Sequence, residues 1–187
     1  MMRVLLFAIA LMALLAACSS TKRVAIETEK VLLTTPTGKK KWGRMLTVES
    51  TINRPAKQVW KQLSTPTSAL ASMKPQAILK PLKKRPLPNR WQTDSTYTFK
   101  LVMNGLFPYG KHHVTYETLD SLTQQFQSRE SGRSVPVWDH HLKVTAASDS
   151  SCVLHEELVI RAGIINWYVA SYAKNLFKAK HKRLATQ

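Results

Sequence analysis

The most constraining feature of this 187-residue chain is a series of segments with an apolar residue at every second position, followed by one long amphipathic stretch. Alternation with a period of two is typical of strands that bury one face. After Gly163, apolar residues recur at helical spacing as far as Leu184. The pattern predicts an antiparallel meander and then a single long helix. The predicted strands cover residues 97–103, 111–119, 124–130, 137–146 and 152–161.

A shorter strand and helix precede the meander. Residues 44–52 alternate in the same way, and Pro55 suits the first turn of a helix that continues to Leu63. Five prolines then fall between Pro66 and Pro88, which leaves room for only one or two short helices. We therefore expect one folded domain over 44–187, of the α+β class.

Two segments resemble the START-like superfamily, which is also called SRPBCC or Bet v 1-like and includes the polyketide cyclase-like proteins. VESTINRPAKQVWKQL at 48–63 is similar to the opening strand and first helix of that family. WDHHLKV at 138–144 is similar to the strand before its last hairpin and long helix. The resemblance extends over about 44–184.

The resemblance implies a helix-grip fold, in which a curved antiparallel sheet wraps around the C-terminal helix and encloses an apolar cavity. It also implies binding of lipid-like or other hydrophobic small molecules more often than catalysis. The candidate cavity residues are Tyr97, Phe99, Tyr116, Trp138, His140, Glu156, Trp167 and Tyr168.

His140 and Glu156 share the apolar parity of their predicted strands. A hairpin centred near Ser148 would make them direct cross-strand neighbours inside the domain. Such a pair can orient a ligand or exchange protons with it. It can equally be an internal hydrogen bond that fixes the register, since a buried charge must have a partner.

Residues 1–17 are typical of a secretory signal, with Arg3 before an uncharged run that ends in small residues. Leu15-Ala16-Ala17-Cys18 resembles the lipobox of bacterial lipoproteins, which implies cleavage before Cys18 and acylation of that residue with fatty acids such as palmitate. Residues 18–43 are interpreted as the lipidated cysteine and a tether, although 31–33 could add a short edge strand. We expect a lipid-anchored protein of the cell envelope, on the outer membrane facing the periplasm if the cell is Gram-negative.

The chain carries 28 Lys and Arg against 11 Asp and Glu, a formal charge of +17. Removal of residues 1–17 takes away only Arg3, so the surplus falls by one. Such a charge favours anionic partners, and export makes a membrane surface a better partner than nucleic acid. The predicted contact residues are Lys80, Lys83, Lys84, Arg85, Lys178, Lys182 and Arg183.

The leading hypothesis is a monomeric envelope lipoprotein that binds a hydrophobic or amphiphilic molecule without catalysing a reaction. The alternatives are a cyclase-like enzyme that uses His140 and Glu156, or an interaction module with no ligand. We expect no cofactor, because the sequence contains no glycine-rich phosphate loop. We also expect no metal, because adjacent histidines such as His112 and His113 face opposite sides of a strand. Cys152 is expected to be a small buried hydrophobic residue.

Overall fold

The computed structural model describes residues 24–34, 38–82 and 86–186. The predicted signal peptide, Cys18 and the basic residues 83–85 lie outside this part of the chain. Within the described ranges, no helix has the length and apolar character needed to cross a membrane.

A single sheet of eight strands forms the framework, and every neighbouring pair is antiparallel. The spatial order is β1-β2-β8-β7-β6-β5-β4-β3, so β2 crosses over to pair with β8. The strands are β1 Ala25–Thr34, β2 Lys40–Ile52, β3 Ala77–Pro81, β4 Thr96–Met103, β5 Phe107–Asp120, β6 Gln125–Gly132, β7 Val137–Ser148 and β8 Ser151–Arg161. The meander is thus present as predicted.

Three α-helices accompany the sheet in the described residues: α1 Ala56–Ser64, α2 Pro66–Ser72 and α3 Asn166–Thr186. A 3-10 turn over Gly163–Ile165 leads into α3. Helix α3 packs along the inner face of β2 and β8 and buries Val169, Ala173, Leu176 and Phe177. This arrangement of a curved sheet around a C-terminal helix confirms the predicted α+β helix-grip.

The period-two alternation is clearest in β8. Cys152, Leu154, Glu156, Leu158 and Ile160 are all fully buried, while the alternate residues of the strand are only partly covered. Cys152 is therefore the small buried residue that its strand pattern predicts. Burial also raises the pKa of its thiol.

One expectation about the first half of the chain is wrong, although the edge strand considered at 31–33 is present as part of a longer one. The predicted tether over 18–43 includes a full strand, because β1 pairs with β2 along its whole length from Ala25 to Thr34. The proline-rich segment contains one short helix, α2, within the expected one or two, and it also contains the strand β3, which was not expected. Both β1 and β3 are edge strands, and each gains its backbone hydrogen bonds from the next strand of the chain.

Candidate functional site

A cavity of about 110 Å³ lies between the sheet and helix α3. Most of its wall is apolar and comes from β4, β5, β7, α2 and α3. Phe99, Leu101, Val114, Leu142 and Leu176 contribute to this part. Tyr168, half exposed at the start of α3, also lines the cavity and marks where its wall meets the surface.

One part of the wall is strongly polar. His112 from β5, Glu130 from β6, His140 from β7 and Lys180 from α3 all line it. Glu156 lies behind them on β8 and is fully buried. Five elements therefore bring ionisable side chains to one side of an otherwise apolar cavity.

Glu156 is the centre of this polar cluster. Its Oε2 accepts hydrogen bonds from His140 Nε2 at 2.8 Å and from Lys180 Nζ at 2.9 Å. Its Oε1 lies 3.2 Å from His181 Nε2, and Nδ1 of that ring lies 2.8 Å from Ser50 Oγ. A buried carboxylate with three such partners is compensated for its lost hydration.

Glu130 is the second carboxylate of the cluster. Its Oε2 lies 2.7 Å from His112 Nε2, and its Oε1 accepts a hydrogen bond from Ser128 Oγ at 2.9 Å. His140 Nδ1 is 3.8 Å from Glu130 Oε1, which is a close ion-pair distance but too long for a hydrogen bond. His140 therefore lies between two carboxylates.

The cluster shifts the pKa of its members. Burial opposes the charged form of Glu130, but His112 and His140 outweigh it and lower the pKa of Glu130 to about 2. Burial likewise opposes ionisation of Glu156, yet Lys180 and the two histidines hold its pKa well below the usual value. Burial disfavours the imidazolium of His140, but Glu130 and Glu156 together raise its pKa. The cluster thus favours two carboxylates and a protonated His140.

Two wall residues carry polar atoms that have no hydrogen-bond partner in the described residues. These are Nε1 of Trp91 and the hydroxyl of Tyr109, both buried. Tyr116 also lines the cavity. Burial, Glu130 and Tyr97 raise its pKa, so the Tyr116 hydroxyl stays protonated. Unpartnered buried donors are rare in folded proteins because each forfeits its hydrogen bonds to water.

The cavity includes five of the eight predicted residues: Phe99, Tyr116, Trp138, His140 and Tyr168. Tyr97 instead packs edge-on against Trp91, with ring centroids 4.9 Å apart. Trp167 was wrongly predicted, because its side chain is 66% exposed and does not line the cavity. On a helix, adjacent residues point about 100° apart, so Trp167 and Tyr168 cannot share one direction.

The predicted contact between His140 and Glu156 is present, but the register behind it is not. Leu158 lies opposite His140, and Leu142 lies opposite Glu156. The turn lies later than expected, because Ser148 itself pairs with Ser151, and a register shift between Ala146 and Ser148 then places Ala146 opposite Cys152. Leu158 instead of Glu156 is therefore the direct partner of His140. The side chains of His140 and Glu156 meet diagonally on the same face.

Sequence reasoning missed Glu130, Lys180 and His181. Each carried a signal: Glu130 shares strand parity with Phe126, and Lys180 and His181 follow Leu176 and Phe177 at a spacing of four. Lysine and histidine near the C-terminal end of a helix are more often exposed to solvent, so the sequence favoured exposed positions for both residues.

The predicted basic surface is only partly available. Lys80, Lys178 and Lys182 are exposed. Arg183 was predicted to face a membrane, yet its guanidinium donates to Ser72 O at 2.8 and 3.1 Å and to Gln76 Oε1 at 2.9 Å. It therefore ties α3 to the end of α2 and the turn that follows.

Among known proteins, the model of a family described as "Domain of unknown function (DUF8410)" matches residues 50–187. No curated protein matches the sequence. The matched range begins within β2 and covers the rest of the chain, so it contains every residue of the polar cluster.

Solved structures share the fold at low sequence identity. Protein Ms6760 from Mycobacterium smegmatis is 10% identical with a TM-score of 0.63, over 88% of this chain and 96% of that one. A START superfamily protein from the same organism is 11% identical with a TM-score of 0.52, over 75% and 96%. A norcoclaurine synthase point mutant from Thalictrum flavum, solved with a transition-state analogue, is 13% identical with a TM-score of 0.53, over 88% and 96%. The domain thus has the START-like, Bet v 1-like fold that its sequence resembles.

Proposed function

This chain belongs to the DUF8410 family, and we propose that it binds a hydrophobic or amphiphilic small molecule in the cavity between the sheet and helix α3. The proposal is carried by the observation that two separate polar groups in the cavity wall lack a hydrogen-bond partner in the described residues. Trp91 Nε1 and the Tyr109 hydroxyl are buried without a partner in the described residues. A ligand with polar atoms would supply the hydrogen bonds that these groups lack.

The volume supports a small ligand or part of a larger one. An engineered protein cavity of about 150 Å³ accepts benzene, so about 110 Å³ suits a group near the size of one ring. A longer molecule could extend past Tyr168, where the cavity wall reaches the surface. The fold offers further support, since one solved relative is a START superfamily protein and another was solved with a bound transition-state analogue.

The test is to isolate the full chain through a C-terminal affinity tag, extract it with organic solvent and identify released molecules by mass spectrometry. Ala69→Phe would fill the cavity, because Ala69 lines it on α2. Ala71→Phe on the same helix is exposed and serves as the matched control. Release of one class of molecule by the parent and by Ala71→Phe, but not by Ala69→Phe, is expected. A protein with no bound molecule would favour the interaction module.

We further propose that the protein is anchored at the cell envelope through Cys18 and rests against an anionic membrane. The register supports this placement, because Ala25 lies opposite Glu49, next to the Ser50 that contacts His181. The described chain therefore begins at the same end of the domain as exposed Lys178 and Lys182. Five residues separate Cys18 from Val24, so the two Cα atoms can be at most about 22 Å apart.

Two measurements test this placement. The mass of the mature protein should show loss of residues 1–17 and addition of acyl chains, and Cys18→Ser should abolish both. Binding to vesicles of anionic lipid should weaken in the Lys178→Glu/Lys182→Glu double variant. The Lys57→Glu/Lys143→Glu variant changes the charge equally at two other exposed lysines and should bind as the parent does.

A cyclase-like enzyme is the second candidate, favoured by the position of His140. It lines the cavity, and its two carboxylate neighbours raise its pKa, so it could donate a proton to a bound molecule. If His140 acts in this way, His140→Asn should still contain a bound molecule, but a different one from the parent. A binding protein should release the same molecule from both.

A further inference from the structure

Lys180 lies at the cavity wall and has N–H donors that make no hydrogen bond within the described residues. Its ammonium group has three N–H donors, and among the described residues it bonds only to Glu156. The nitrogen also lies 5.1 Å from the ring centroid of Phe177. The Lys180 residue is 4% exposed and lines the cavity, so its remaining N–H donors have little access to hydrogen bonds with bulk water.

The two carboxylates near Lys180 already accept hydrogen bonds on both of their oxygens. Both oxygens of Glu156 accept hydrogen bonds, from His140 and Lys180 on one oxygen and from His181 on the other. Both oxygens of Glu130 are similarly engaged by His112 and Ser128. The strong acceptors of the wall are thus satisfied, whereas donors remain.

The surplus of donors extends beyond the cluster. Trp91 Nε1 can only donate, and the Tyr109 hydroxyl is free to donate. Trp91 and Tyr109 belong to different hydrophobic clusters of the core, so these donors are distributed along the wall. A pure hydrocarbon would leave all of them without partners.

We propose that the cavity selects a ligand with an sp2 oxygen, that of a carbonyl or a carboxylate, and that Lys180 Nζ donates to this oxygen. This inference rests on the proposed function and specifies the polar end of its ligand. Lys180 and His140 line the cavity beside Glu130, with Glu156 directly behind them, and a neutral carbonyl adds no charge to this cluster. A carboxylate would add one negative charge and draw a further proton into the cluster.

The test compares ring-sized probes that differ in their oxygen: ethylbenzene, acetophenone and benzoate. The full chain is placed in nanodiscs of zwitterionic lipid, and probe binding is measured by equilibrium dialysis with empty nanodiscs as the control for partitioning. Acetophenone, benzoate or both should bind about tenfold or more tightly than ethylbenzene, as a hydrogen bond from a charged donor implies. Acetophenone alone would identify a carbonyl ligand, and benzoate would identify an acid.

Lys180→Met should erase the preference, whereas Lys178→Met, exposed two residues away on the same helix, should keep it. If loss of the cation beside Glu156 unfolds the protein, the Lys180→Met/Glu156→Gln double variant removes both charges together. The order of affinities in the parent protein decides the ligand chemistry without any variant.

The outcomes separate this inference from the proposed function. Equal binding of the three probes would overturn the oxygen preference and leave a ligand cavity in place. A preference that persists in folded Lys180→Met would overturn the assignment to Lys180. Failure of every probe to bind would overturn the proposed function itself.

Discussion

His140 Nε2 donates to Glu156 Oε2 at 2.8 Å across strands β7 and β8, although the two residues are not opposite each other in the register. The same oxygen also accepts from Lys180 on α3, so the contact joins the sheet to the helix that covers it. Because His140 lines the cavity and Glu156 does not, the carboxylate acts on any ligand through His140 and Lys180.

Loss of the Glu156 carboxylate should destabilise the protein strongly. Glu156→Leu leaves Lys180, His140 and His181 buried without their acceptor, at a cost of about 3–5 kcal/mol in the free energy of unfolding. Glu157→Leu on the opposite face of β8 should change it by less than about 1 kcal/mol. Urea unfolding measures both.

Adding Lys180→Met to Glu156→Leu should recover part of that loss, because no ammonium group then remains buried without its partner. Simple addition of the two single effects would contradict the coupling between Lys180 and Glu156.

Stability should fall as the pH rises above the usual pKa of histidine. The folded-state pKa of His140 is raised from 6.5, so its contribution is fully present below that pH and is lost as the pH passes through the folded value. Urea unfolding between pH 6 and pH 9 should show the decline, and His140→Asn should reduce it. His155→Gln serves as a control for a partly exposed histidine with two carboxylate neighbours. An unchanged slope in His140→Asn would show that other groups cause the decline.

Stability should also fall at low pH, because the Glu130 carboxylate becomes protonated. The pKa of Glu130 is lowered from 4.5 to about 2, so its contribution is present above pH 4.5 and is lost as the pH falls towards 2. The shift corresponds to about 3 kcal/mol. Glu130→Gln should therefore flatten the acid limb of a stability profile recorded by urea unfolding, whereas exposed Glu117→Gln should leave it steep. A Glu130→Gln profile as steep as the parent's would contradict this assignment.

Arg183 should contribute to stability through the contacts that join α3 to α2. Arg183→Met removes its bonds to Ser72 O and Gln76 Oε1 and should lower the free energy of unfolding by about 1–3 kcal/mol. Lys182→Met, at the exposed neighbouring position, should have little effect. Thermal unfolding of the two variants compares them directly, and equal melting temperatures would be incompatible with a structural role for Arg183.

The local pattern determined the fold class because side-chain periodicity is a property of single elements. Alternation in β8 placed Glu156 among Leu154 and Leu158, and helical spacing after Gly163 predicted α3. The same parity placed His140 towards the interior. These assignments hold because a strand with one buried face permits only one orientation of each residue.

The edge strands were less accessible to this reasoning. β1 has no strict alternation of burial, and β3 has five residues of which one is a proline. Each is stabilised mainly by pairing with a partner strand, β2 for the first and β4 for the second. A pattern within ten residues carries little information about such pairing.

The sequence by itself determined that an antiparallel meander and a long helix would form and that His140 and Glu156 would face inward. Only the tertiary structure decided that Lys180 and His181 would join them, since both come from a helix that could have turned these residues to solvent. The position of the β7–β8 turn likewise placed Leu158 instead of Glu156 opposite His140, a shift of two residues that hydrophobic parity cannot detect. The physical reason is that periodicity specifies which face of an element is buried, whereas the partners across that face depend on turns, bulges and packing between distant segments.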